Sequence, residues 1–553
     1  MAGNSPAVTS PSAARAPKIQ RPGLLIGTVT LLAAVLMLCL DGTRDGDLYL
    51  QLASGRFIAA HGLAAVDPFQ TIAHGEPWLN QQWLTELAAF EVVRWVGVTG
   101  LTILYAGLLA APLALLLWLC RGKGVAMMVA LAILYCPGLW VIVHPRAAGF
   151  SVLGFSLLVA ILVLAWLRRQ PGRPALSRLR WAIPVTLAIF ALWANLHGGF
   201  VAGLLLIALA TGGLALEWRL RLAGAIDARR IALLALTGAL AAATVILATP
   251  LGGAIVAYLS SFGNPAISLV SAEWRPTFQS PLALGYLGVS TAFAGWLWVK
   301  ARGSRSPTTA LIALGFLAMA LVSLRNIVFV GPVLALCIAS LAPERPLRVP
   351  RALIGLTVVA AAGTALCWAV LVGPARNEPI LEPSLVGYAV RHPPPSGHIA
   401  TYAGVGSYML WRSPRAPVVL DGWLEHFTPA ELRGTYAVVD GHGTNLMRDV
   451  RRLRIGAVIA DRRRAIDILE AHGFAVKFES PAGTYLVRRA EPARWGRGVE
   501  HRIPQASSDQ GAAGPHLYHR RHDGEEAESR RPDDHRPDDD PHRPRRRLAA
   551  RWR

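Results

Sequence analysis

A polytopic, all-α membrane protein carrying a small α/β domain near its C-terminus is the fold class this sequence predicts, on three observations. Of 553 residues 53% are hydrophobic and only 16% charged, the reverse of a disordered or ordinary soluble chain. Apolar stretches long enough to cross a bilayer, at roughly 20 residues each, recur between residues 24 and 373. Cations gather in alternate loops between those stretches.

The apolar stretches lie near 24–40, 97–119, 125–143, 148–167, 181–196, 199–216, 231–250, 281–299, 308–323, 327–342 and 352–373, or about eleven spans. Arg15, Lys18 and Arg21 precede the first, and Arg121 with Lys123 follow the second. Further clusters follow at Arg168 to Arg180, Arg219 to Arg230, Lys300 to Arg305 and Arg345 to Arg351. The positive-inside rule then puts the tail 1–21 in the cytoplasm, and the 41–96 loop, the 251–280 loop and everything after 374 outside. The formal net charge of +21 thus reports orientation and calls for the lipid bilayer, not nucleic acid, as partner. The five cysteines lie in or at the ends of apolar stretches, which indicates neither a disulfide framework nor a thiolate metal site. No small-residue cleavage signal follows the first stretch, so it reads as a retained helix.

Residues 22–373 form the expected membrane module. Within its first outside loop, 47–60 and 82–95 show helical patterning, and "AVDPFQTIAHGEPWLNQQW" between them is turn-rich. Two interfacial helices are expected there, with Trp78, Trp83 and Trp95 in the headgroup layer. Residues 374–490 alternate β-branched runs with a helical pattern at 462–472, which predicts an extracytoplasmic α/β domain. From 491 to 553 the chain is rich in Arg, Asp, His and Pro with almost no aliphatic clusters, and disorder is expected.

"DGTRDGDLYL" places Asp41, Asp45 and Asp47 directly after the first apolar stretch. Carboxylates at a membrane lip are costly without partners or work. Asp45 and Asp47 can ligate a divalent cation such as Mg or Mn, or act as base toward an acceptor hydroxyl. The competing reading makes Asp41 and Asp45 the start and cap of an interfacial helix. Other polar groups mark the outer ends of spans: His144 and Arg146 in "HPRAAG", Asn195 and His197 in "WANLHGGF", Glu273, Trp274 and Arg275 in "SAEWRP", Arg325 and Asn326 in "SLRN". An outside Arg at a helix end suits a phosphate, although each residue alone also fits snorkelling or a helix turn. In the C-terminal domain Asp421, Glu425, His426 and Asp440 suggest a second site, but Asp421-Gly422 after "VVL" reads better as a strand-to-turn exit.

The order "D-x-D-L-x-x-x-L-A-S-G", "DPF", "PW", "W-L-x-E", then "HPRAAGFS", "WANLHGGF", "AEW-x-P", "RN", and finally "Y-x-G-V-G-S-Y-M-L-W" and "V-V-L-D-G" resembles the type-C glycosyltransferase superfamily. The likeness is to its bacterial branch related to protein O-mannosyltransferases and aminoarabinose transferases, and it covers roughly residues 22 to 490. It implies transfer of a sugar from a polyprenyl-phosphate donor to a glycan, lipid or protein acceptor on the outer face. It further implies catalysis by Asp45 or Asp47, a donor phosphate held by Arg146 and Arg325 with His144 and His197, and Glu86, Asn195, Glu273 and Trp274 on the substrate side. The branch often carries a His where this chain has Tyr49, Leu50 and Gln51, so that contribution is absent or replaced. The rival class is a transporter or a scaffold in envelope polymer assembly. Common transporter folds show paired, broken midplane helices in two similar halves, whereas here the polar residues gather at one face.

Overall fold

The structure is a computed structural model that describes residues 22–40, 46–167, 175–222, 226–261, 263–302, 305–345, 355, 358–360, 362–363, 383–442 and 445–489. Helices dominate it: α1 (Pro22–Leu40), α2 (Gly46–His61), α3 (Trp83–Leu119), α4 (Val125–Tyr135), α5 (Ala148–Ile161), α6 (Ala175–Leu196), α7 (Phe200–Arg219) and α8 (Ala228–Ala248) come first. After them come α9 (Ile255–Ser261), α10 (Ile267–Val270), α11 (Pro281–Lys300), α12 (Pro307–Val322) and α13 (Val330–Leu341).

Among the described residues, eight helical segments are long and apolar enough to cross a membrane, and each coincides with one of the eleven expected spans. Of the other three expected spans, the first, 24–40, is helical as α1, a helix of 19 residues. The stretch 308–323 forms α12, whose 16 residues reach about 24 Å, short of a hydrocarbon core of about 30 Å. Ser306 caps this helix from its side chain and Ser323 ends it in extended backbone, so polar ends limit its length. The stretch 352–373 lies largely outside the described residues, as do the expected tails 1–21 and 491–553.

The first loop departs from two helices lying at an interface. Leu48, Tyr49, Leu50, Gln51, Leu52 and Ala53 are all buried, so α2 shows no watered face over this stretch. It packs against α3 and the helix Ala403–Arg412, with Tyr49 and Tyr408 edge to face at 4.6 Å. The burial follows from a partner more than 300 residues later in the chain, which no local periodicity could announce. Trp78 is likewise buried against Phe57 and Phe69, while Trp95 is exposed. The 82–95 segment runs into the span at Gly97, whose φ of +72° breaks α3 in a conformation that glycine adopts without Cβ strain.

The membrane helices share one large apolar cluster, centred on residues such as Phe155, Leu206, Phe316 and Phe329. Near the C-terminus a four-stranded sheet has the order β1 (His398–Ala400), β2 (Ile455–Ala460), β4 (Gly483–Arg488), β3 (Phe474–Ser480). β1 and β2 are parallel, β2 and β4 antiparallel, and β3–β4 a hairpin. Central β2 is buried at every residue, in keeping with its unbroken run of small and β-branched side chains. The helix Arg463–Ala471 occupies the expected helical pattern at 462–472.

Candidate functional site

A cavity of about 610 Å³ is lined by residues from the first loop, the membrane helices and the C-terminal segment. Its charged side chains all come from helix ends or single 3-10 turns, where the chain changes direction. Asp47 stands in the first turn of α2, and Arg146 in the turn before α5. His197 lies between α6 and α7. Glu273 and Trp274 occupy the turn Ala272–Trp274, Arg325 the turn Leu324–Phe329, and Glu425 the turn Leu424–His426.

Arg146 is the centre of charge. One guanidinium nitrogen lies 3.3 Å from Asp47 Oδ2, and another 2.8 Å from Glu273 Oε2 while also donating to the Val141 carbonyl. Burial works to raise the Glu273 carboxyl, but Arg146 and Arg325 more than offset it and hold it below the usual range. Arg325 is fixed over the Trp274 ring, 4.1 Å from its centroid, a cation–π contact that also orients the planar fork.

His197 is held as a neutral donor. The Gly199 N–H donates to its Nδ1 at 3.1 Å, and Ser151 Oγ lies 2.6 Å from the same nitrogen. Because Trp193 Nε1 donates to Ser151 Oγ at 2.9 Å, the serine hydroxyl passes its own proton toward Nδ1, which leaves the ring proton on Nε2. Burial, then Arg325 and Arg146, push the imidazole down to about 3. The glycine of "HGG" answers to this crowding, since a Cβ at Gly199 would stand 2.2 Å from Ser151 Oγ. Gly422 is similarly tight, because a Cβ there would lie 3.3 Å from Asp47 Oδ1. The "VVLDG" turn therefore seats directly on Asp47, while Asp421 Oδ1 accepts from the Trp423 N–H at 2.8 Å as a turn residue.

Six of the expected site residues share the cavity wall: Asp47, Arg146, His197, Glu273, Trp274 and Arg325. Asp45, like Asp41, lies outside the described residues. His144 does not line the cavity, and two other expected contacts turn inward. Glu86 is fully buried and accepts from Asn80 at 2.6 Å and Gln82 at 3.3 Å. Asn195 accepts from Trp83 Nε1 at 2.8 Å and donates to the Ala191 and Ala248 carbonyls, which ties the first loop to two spans. Residues that the sequence did not single out for this site also line it, among them Gln82, Ser151, Tyr258, Trp423 and Glu425. Glu425 drew notice in the sequence only as part of a possible second site with Asp421, His426 and Asp440, whereas Tyr258 carried no signal.

A divalent cation fits the described donors poorly. Asp47 already faces the Arg146 guanidinium, whose charge repels a second cation, and among the described residues no group of three or more His, Cys, Asp or Glu is arranged to hold a metal.

No protein-family model matches the chain, and no curated protein sequence does. Solved structures do match. ArnT from Cupriavidus metallidurans bound to undecaprenyl phosphate aligns with a TM-score of 0.51 at 14% identity, over 85% of this chain and 98% of that one. The same protein in the apo state gives 0.50 at 14%, over 84% and 97%. The Archaeoglobus fulgidus oligosaccharyltransferase tethered with an acceptor peptide gives 0.50 at 12%, over 86% and 75%. The chain therefore shares the fold of these solved structures, and its eight long apolar helical segments among the described residues make it a multi-pass membrane protein.

Proposed function

We propose that the protein transfers a sugar from a polyprenyl-phosphate donor to an acceptor hydroxyl at the outer face of the bacterial plasma membrane. The observation that carries this reading is a single cavity in which two fixed guanidiniums and a neutral imidazole stand opposite a carboxylate near the start of α2. Cationic forks and an N–H donor are the groups that bind a phosphate monoanion and stabilise it as it departs. Undecaprenyl phosphate, the lipid named with ArnT, carries such a head group. Prenyl chains favour apolar walls, and Ile142, Val201, Ala202, Met319, Val322 and Phe329 supply one.

In the proposed step the acceptor hydroxyl gives its proton to the Asp47 carboxylate and its oxygen attacks the anomeric carbon. The carbon–oxygen bond to phosphate breaks with its electron pair going to the phosphate, and the configuration inverts. Arg146, Arg325 and the Nε2–H of His197 take up the charge on the leaving phosphate. Before substrate arrives, Arg146 is shared between Asp47 and Glu273. A phosphate competing for that guanidinium loosens its hold on Asp47 and restores the basicity the step needs. No step passes through a metal.

The test is sugar transfer by the purified protein in liposomes, with undecaprenyl phosphate-linked hexose or pentose as donor and an envelope extract as acceptor. Wild type transfers sugar, and Asp47→Asn folds but loses roughly a hundredfold or more, the scale of a lost general base. An Asn variant at wild-type rate removes Asp47 as base, and absence of binding and transfer with both donors overturns the function.

A further inference from the structure

We infer that the turn Gly422–Glu425 of the C-terminal segment, together with Tyr258, forms a subsite that reads the hydroxyls of a sugar ring in the membrane cavity. The inference rests on the proposed sugar transfer and deepens it. Three carboxyls line the cavity, and two of them, Asp47 and Glu273, are spoken for by Arg146. Glu425 makes no ion pair among the described residues, although it stands on the same wall as Arg325. Its neighbour Trp423 lines the cavity while its Nε1 is buried with no hydrogen-bond partner. Buried indole N–H groups are seldom left that way.

One ring face of Trp423 is closed by His426, stacked at 5.0 Å with 17° between the planes, so the indole is fixed. Tyr258, from α9, is an electrostatic neighbour of Glu425 and lines the same cavity. The turn is anchored from behind, because the Gly422 N–H donates to Ser407 Oγ at 2.9 Å and Asn264 holds the Phe427 carbonyl at 2.9 Å. A rigid turn therefore presents a carboxyl with two acceptor oxygens and an indole donor, facing a tyrosine hydroxyl. Vicinal hydroxyls are bound by that donor and acceptor set. A phosphodiester is not, since it has no hydrogen to donate to the carboxyl. The membrane helices thus supply the phosphate end of the site and the C-terminal turn its sugar end.

The hydroxyls belong either to the sugar on the donor lipid or to a sugar acceptor, and the test separates these sources. Binding of undecaprenyl phosphate, bare and carrying a hexose, is measured for wild type, Glu425→Gln and Trp423→Phe, and KM for the envelope acceptor is measured at saturating donor. A donor-side subsite weakens binding of the sugar-bearing lipid about tenfold in both variants and leaves the bare lipid within about twofold, the pattern of a lost polar specificity contact. An acceptor-side subsite leaves both lipids unchanged and raises the acceptor KM by a similar factor. Equal weakening of bare and sugar-bearing lipid, or no change in any of the three, overturns the subsite while the transferase function stands. If wild type itself does not distinguish the sugar-bearing lipid and transfers nothing, the function falls and the subsite with it. Melting curves establish folding, and the near-isosteric Trp423→Phe carries the test if Glu425→Gln does not fold.

Discussion

Arg146→Met removes the cation that Asp47 and Glu273 share, and the two carboxylates do not suffer alike. Breaking a buried ion pair by deleting one partner costs on the order of 3–5 kcal/mol. The Arg146–Glu273 contact belongs in that class, at 2.8 Å with side chains only 11% and 22% exposed. The Arg146–Asp47 contact is longer, at 3.3 Å, and its carboxylate is 43% exposed, so solvent screening leaves about 1 kcal/mol or less. Double-mutant cycles with Glu273→Gln and Asp47→Asn, read as unfolding free energies in detergent, should therefore give the larger coupling with Glu273. The pH dependence follows from the charges. In wild type the Glu273 carboxyl is held below its usual range, so the stability it contributes is present above the unfolded-state pKa and lost as pH falls through the folded one. Without the guanidinium burial prevails and the carboxyl rises above its unfolded value, so protonation relieves the variant. The stability gap between Arg146→Met and wild type should narrow from pH 7.5 to 5.5, and should stop changing when Glu273→Gln is added to both. A coupling to Asp47 equal to or above that to Glu273, or a pH-independent gap, would refute the reasoning.

His197 makes a second pH prediction. Its imidazole is about 3 in the fold against an ordinary 6.5, so between those values the unfolded chain binds a proton that the folded chain does not. Stability is then lost as pH falls through that window, by up to about 1.4 kcal/mol per unit, and His197→Gln should flatten the slope measured between pH 6 and 4.5; an unchanged slope would show that the ring already carries its proton. For the orientation, a membrane-impermeant thiol reagent applied to intact cells should label a cysteine at exposed Arg415 and spare one at exposed Arg302. The reverse pattern would turn the whole site toward the cytoplasm.

What the sequence by itself determined is the part decided locally by solvent. A run of about 20 apolar residues partitions into a bilayer wherever it lies in the chain, so eight spans were legible one at a time. Asp47, Arg146, His197, Glu273, Trp274 and Arg325 were conspicuous for the same reason, as polar groups at the ends of apolar runs. Their convergence was a matter of tertiary structure. Glu86 and Asn195 looked equally promising, yet packing turned both inward, Glu86 to partners within the first loop and Asn195 to tie that loop to the spans. The burial of α2 depends on the helix Ala403–Arg412, where Arg56 reaches the Leu410 carbonyl at 3.2 Å. Glu425 lines the cavity on a turn that packs closely on Asp47, where a Cβ at Gly422 would lie 3.3 Å from Asp47 Oδ1. Membrane partition is a property of a segment, but which polar side chain faces a cavity is set by what packs behind it, and here those neighbours lie hundreds of residues away.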